Sequence, residues 1–198
     1  MTKAFTVEPM PIRATALLHQ EGILAILAAT GLFFRGQAPL TALLPSTGWL
    51  ESIGAGLITG GVCLVLLFGL LLIPAVKELE RWQAGMVQGW TVIDAVAVAV
   101  FSGLAEEAFI RVLLQPWIGL VAAAAVFAVL HIVPDRRLWP WPVIAMALGL
   151  AFGLVFERWG YPAVATAHIV VNMVSLLRLR RSYPKNRQPN DEHETIDD

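Results

Sequence analysis

Residues 101–115 read FSGLAEEAFIRVLLQ, placing Glu106, Glu107 and Arg111 inside an almost wholly apolar run, 91–114. Such a run is long enough to cross a bilayer as a helix, which takes about 20 apolar residues. A charge at the middle of a spanning helix costs roughly 2.5–3.5 kcal/mol by insertion scales. Charges concentrated on one span therefore call for a compensating arrangement. Glu107 and Arg111 are four apart, share a face and can pair. Glu106 lies about 100° further round the helix and cannot use the same arginine as easily. It is left seeking a partner or a task.

Outward from this stretch, the composition sets the class. The chain has 198 residues, 57% of them hydrophobic and 15% charged, with a net charge of −1. Globular chains carry about 25% charged residues. The low share predicts an all-α, polytopic membrane bundle, and the near-zero net charge offers nothing to nucleic acid. The single cysteine, Cys63, lies in an apolar run and reads as a small hydrophobe; it can form no internal disulfide. No cleavable signal peptide is expected in MTKAFTVEPMPIR, which holds two prolines and no apolar core.

Apolar runs at 14–34, 53–73, 91–114, 118–133, 141–156 and 162–177 predict about six transmembrane helices. Helices three and four are expected to form a hairpin turning at Pro116. The stretch 74–90, with Lys77, Glu78, Glu80 and Arg81, is either an interfacial amphipathic helix or a solvated loop. The expected organisation is a cytoplasmic N-terminal segment (1–13), a bundle (14–181, motif core 102–176) and a disordered tail (182–198). Basic residues set the orientation. Lys3, Arg13, Lys77, Arg81, Arg136, Arg137, Arg178, Arg180, Arg181, Lys185 and Arg187 fall on one side; Arg35 and Arg158 fall on the other. Both termini are thus expected in the cytoplasm.

Further polar groups sit on other spans. Phe127 and His131 are four apart on the fourth, His168 and Asn172 four apart on the sixth. Each pair alone could simply glue helices together. At 1.5 Å per residue, however, Glu106, His131, His168 and Asn172 all fall roughly 10–22 Å deep. A carboxylate, imidazoles and an amide converging in one slab of membrane is what hydrolysis requires. By contrast, His19 and Glu21 read as interfacial groups at the edge of the first span, and His193 as part of the tail. Asp94 reads as a cap, Gly149 and Gly153 as close helix packing, and Trp139, Trp141 and Trp159 as interfacial anchors.

Glu106-Glu107-x-x-x-Arg111, then Phe127-x-x-x-His131, then His168-x-x-x-Asn172, on separate spans and in this order, resemble the motifs of the CPBP intramembrane proteases. That family includes type II CAAX prenyl endopeptidases and bacteriocin-processing or self-immunity proteins. Phe152 and Gly153 on the fifth span fit its looser remaining motif. The resemblance covers about 102–176 and implies a helical bundle that cleaves a membrane-associated peptide or protein, prenylated ones among them, from a site within a bacterial plasma membrane.

The mechanism expected on these residues has Glu106 activating a water held by His131, while His168 and Asn172 stabilise the oxyanion. Glu107, paired with Arg111, and Phe127 support the helix faces. Glu106, His131 and His168 also match a zinc ligand set, although His-Glu-x-x-His is absent. The reading leans to a glutamate-activated water, with the metal undecided. Two rivals remain at this point: a catalytically silent scaffold or immunity protein binding a partner, and a small ion or proton transporter.

Overall fold

The computed structural model describes residues 10–182; His193, most of the expected N-terminal segment and all of the expected disordered tail but Ser182, which is helical, lie outside that range. Eight α-helices follow in order: α1 (Ala14–Phe34), short α2 (Pro39–Ala42), α3 (Trp49–Leu70), α4 (Pro74–Met86), α5 (Val92–Glu107), α6 (Gln115–Leu130), α7 (Pro140–Trp159) and α8 (Tyr161–Ser182). A π-helical segment, Ala108–Leu114, joins α5 to α6, and a 3-10 turn, Arg136–Leu138, precedes α7. The stretch after residue 74, left open between helix and loop, is a helix.

Local chemistry sets several boundaries. Asp94 acts as the cap expected of it: its backbone N–H donates to Thr91 Oγ1 at 3.1 Å, and the Thr91 N–H donates to Asp94 Oδ2 at 2.8 Å. This reciprocal box starts α5. Gly160 ends α7 with φ 80°, a conformation that L side chains rarely adopt. The loop before α7 is pinned by Asp135, which accepts from Arg137 Nη2 at 2.7 Å. These hydrogen bonds hold the Asp135 carboxyl below its ordinary range.

Among the described residues, five helical stretches are long and apolar enough to cross a membrane: Ala14–Phe34, Trp49–Leu70, Val92–Leu130, Arg136–Trp159 and Tyr161–Ser182. The expected third and fourth spans are merged in Val92–Leu130, but this stretch is not one rod. Gly119 interrupts it with φ 81° and ψ 167°. Beyond Gly119 the chain folds back, so that Ile110 shares a core with Ala123 and Phe127. The reversal thus falls at Gly119, not at Pro116. A proline is tolerated in a helix's first turn, where its missing N–H costs nothing, whereas positive φ favours glycine. The returning limb is helical only to Leu130, roughly 16 Å at 1.5 Å per residue.

The two ends of the bundle are well separated. At one end Ala14, Ala84, Trp90 and Leu179 form a common cluster, and Arg178 Nη2 lies 2.8 Å from Glu80 Oε1. At the other, Arg35 stacks over Trp117 and Pro45 bridges to Gly160. Both ends of the described chain therefore lie at the same end of the bundle. Large apolar side chains such as Ile58 (71% exposed) and Val65 (72% exposed) cover the outside. Lipid is the solvent that accommodates such a surface. The protein is an integral membrane protein, an all-α polytopic bundle.

α8 runs through the middle, packed on α3, α5 and α7. Small residues permit this closeness. A Cβ at Gly60 would sit 2.9 Å from the Val170 side chain, and one at Gly103 would sit 2.9 Å from the Ile169 backbone nitrogen. The Gly103 contact sets Ser102 and Glu106 of α5 beside Asn172 and His168 of α8.

Candidate active site

The polar groups fall into two linked parts. The first is a knot of buried charge. Glu107 and Arg111 are both fully buried, and Arg111 Nε donates to Glu107 Oε2 at 3.0 Å. This is the expected pair. The other carboxylate oxygen was assigned no partner from sequence; it accepts from His168 Nδ1 at 2.7 Å. Arg111 Nη1 continues to Gln115 Oε1 at 3.2 Å. Gln115 Nε2 in turn donates to the Gly153 carbonyl at 3.1 Å and to Glu157 Oε1 at 3.0 Å. One carboxylate thus fixes an arginine and an imidazole, as buried charge requires.

The backbone changes character at this point. Directly after Glu107 the helix widens to π geometry over Ala108–Leu114, a device frequent at functional sites. Nothing in the residue pattern announces it. Phe127 packs into the same knot: the Arg111 guanidinium lies 5.6 Å from its ring centroid, with His131 at 4.6 Å and His168 at 6.0 Å.

The second part is a cavity of about 480 Å³, lined by Ser102, Glu106, His131, His168 and Asn172 among others. All four expected catalytic residues meet there. With the reversal at Gly119, Glu106 and His131 lie roughly 20 and 18 Å from the turn at 1.5 Å per residue, closer in depth than a turn at Pro116 implies. Glu106 Oε2 is 4.0 Å from His168 Nε2, beyond a direct hydrogen bond but bridgeable by a water or a substrate atom. His131 donates from Nδ1 to the Phe127 carbonyl at 2.8 Å, which leaves Nε2 as its reactive nitrogen. Asn172 Nδ2 donates to Ser102 Oγ at 2.9 Å, and its second N–H is left for another acceptor.

Two readings of the sequence change here, and a further residue joins the site. Glu21, read as an interfacial group, is 3% exposed and lines this cavity. Its position on α1 puts it roughly 10 Å inside the helix at 1.5 Å per residue, on the face turned toward the bundle. Trp141, read as an interfacial anchor, also lines the cavity, its ring 5.7 Å from that of His131. Ser102, which orients Asn172, was not singled out at all. Its signal was available: it lies four residues before Glu106 on the same helix face.

A zinc ion would need Glu106, His131 and His168 drawn together as ligands. Among the described residues, no three His, Cys, Asp or Glu side chains are grouped so as to hold a metal ion. Both histidines use Nδ1 toward Glu107 and the Phe127 carbonyl, which leaves Nε2 of each facing the cavity side of the site.

Residues 88–174 match the family model described as type II CAAX prenyl endopeptidase Rce1-like. This segment is similar to the Rce1-like family, over less than half of the chain. It runs from just before α5 into α8 and contains Glu106, Glu107, Arg111, Phe127, His131, His168 and Asn172; α1 and α3 lie outside it. A curated relative, the uncharacterised protein YpbD of Bacillus subtilis (strain 168), is 33% identical over 101 residues, which is 50% of this chain and 51% of the relative. The chain thus spans about half the length of the curated relative it matches. No solved structure matches.

Proposed function

We propose that the protein hydrolyses a peptide bond near the C-terminus of a membrane-associated peptide or protein, with Glu106 as the base that activates water. The observation carrying this reading is the 4.0 Å gap between Glu106 Oε2 and His168 Nε2 at a cavity, with the opposite nitrogen of His168 tied to Glu107. A water in that gap can pass a proton to Glu106 while its oxygen attacks the scissile carbonyl. His131 positions the water. His168, when protonated, and the second N–H of Asn172 donate to the oxyanion that develops. Glu107 and Arg111 do not react; they hold the imidazole in one orientation.

Leu24, Leu67, Phe68 and Leu148 also line the cavity, and apolar walls suit a lipid-modified or apolar peptide. Prenylated C-terminal peptides are the first candidates because of the Rce1-like match. The basic residues cluster at the end of the bundle that holds Arg178 and α4, which we assign to the cytoplasm of a bacterial plasma membrane. No metal step enters this reading, so chelators are expected to leave cleavage unchanged.

The test compares the C-termini of membrane proteins in cells that carry wild-type protein or Glu106→Gln. Shortened C-termini found only with wild type are expected. Identical C-termini in both, with both proteins expressed at the same level, would overturn the proposal.

A further inference from the structure

Glu21 is a buried carboxyl that the mechanism above does not use. It stands on α1, outside the segment matched by the family. It is 3% exposed and lines the same cavity as Glu106 of α5 and His168 of α8. Its Oε2 is buried and receives no hydrogen bond. A purely structural role fits this poorly, because a buried carboxylate oxygen without a donor destabilises a fold. Two carboxylates that line one cavity are only acceptors. A proton held between them turns one into a donor and removes the repulsion, as in carboxyl dyads of acid-base sites.

We propose that Glu21 is a second catalytic carboxyl, the acid that protonates the leaving amine while Glu106 acts as the base. This rests on the assignment of Glu106 as the base. In the first step water adds to the scissile carbonyl and its proton goes to Glu106. In the second the C–N bond breaks, and the proton of Glu21 goes to the departing nitrogen. The products are a carboxylic acid and an amine. The proton on Glu106 then passes to Glu21, which restores the starting state. Atoms and charge balance with water as the sole co-reactant. The family's motif residues supply a base and oxyanion donors, and α1 supplies the acid.

Two measurements on the purified full-length protein test this. Infrared spectroscopy at neutral pH is expected to show a protonated-carboxyl band that disappears in Glu21→Gln. Absence of the band, or a band that Glu21→Gln leaves unchanged, overturns the proposal whatever the substrate. The second measurement uses an S-farnesyl peptide with an amide at the scissile position and its counterpart with an ester there. An alcohol leaves with far less help from an acid than an amine does. Glu21→Gln is expected to slow amide cleavage by about 100-fold or more and ester cleavage by less than about tenfold, with thermal stability retained or raised. Equal losses on both probes overturn the acid role. Glu106→Gln should lose both activities; if it keeps them, the assignment of the base fails and the dyad mechanism with it. Loss of both in Glu106→Gln with an unaffected Glu21→Gln leaves the base standing and removes Glu21 alone.

Discussion

Glu106 and Glu107 are neighbours in sequence, yet their carboxylates meet opposite conditions. Glu107 is fully buried, and its oxygens accept from an arginine and a histidine. Glu106 keeps 14% of its side chain exposed, faces a cavity and stands 4.0 Å from the nearest imidazole nitrogen. One helix thus presents a carboxylate with both oxygens hydrogen-bonded and a neighbouring one that faces open space. Saturation fixes geometry but leaves no lone pair free for substrate. A carboxylate at a cavity has free lone pairs and depends on its neighbour's rigidity for aim. The difference teaches that the charged pair is the frame and the lone carboxylate is the tool.

The largest expected effect sets the two side by side. Glu106→Gln removes the proton acceptor at nearly constant size. It should lower turnover by about 10²–10⁴-fold with no change in the thermal unfolding temperature. Glu107→Gln should act mainly on the fold, because it leaves a buried guanidinium without its counter-charge. Breaking a buried pair costs about 3–5 kcal/mol, read as a large drop in unfolding temperature, with activity falling as His168 loses its orientation. Equal stabilities with activity lost only in Glu107→Gln would reverse the assignment.

A smaller contrast lies between Asn172 and Ser102, which share a hydrogen bond of 2.9 Å. Asn172→Ala removes a donor aimed at the developing oxyanion and should lower kcat by about 10²–10³-fold. Ser102→Ala removes only the group that steers that amide, so its loss should be smaller and should vanish in an Asn172→Ala background. Additive losses in the double variant would show that the two residues act separately.

The same contrast explains what could be read from sequence. Glu107 and Arg111 were legible because an i,i+4 spacing on an apolar helix is local. The meeting of His131, His168, Asn172 and Glu106 was legible because depth along a spanning helix can be counted. Glu21 was not, since its burial depends on which face α1 turns toward α5, and α1 is apolar on every side. The bond from Glu107 to His168 and the π-helical segment were hidden for a related reason. Both depend on how α5 and α8 meet, and no residue spacing within either helix records that. The position of the hairpin turned on a choice between Pro116 and Gly119, where only the demand for positive φ separates them.

The smallest expected effect concerns the seam that brings both carboxylates to α8. A Cβ at Gly103 would lie 2.6 Å from Ile169 Cγ1 and 2.9 Å from the Ile169 backbone nitrogen. The side-chain atom can move aside, but the backbone of α8 cannot without shifting its helix. Gly103→Ala should therefore cost about 1–3 kcal/mol of stability, the usual range for overpacking. Gly61→Ala is the control, because a Cβ there meets nothing within 4 Å, and alanine in a helix is favoured over glycine by about 0.5–1 kcal/mol. If α8 moves away from α5 in Gly103→Ala, the hydrogen bonds from Asn172 to Ser102 and from His168 to Glu107 lengthen together. Activity should then fall more than the stability loss alone accounts for, at temperatures where the variant is still folded. A Gly103→Ala protein with wild-type turnover would mean that Glu107 holds His168 in place without help from the seam.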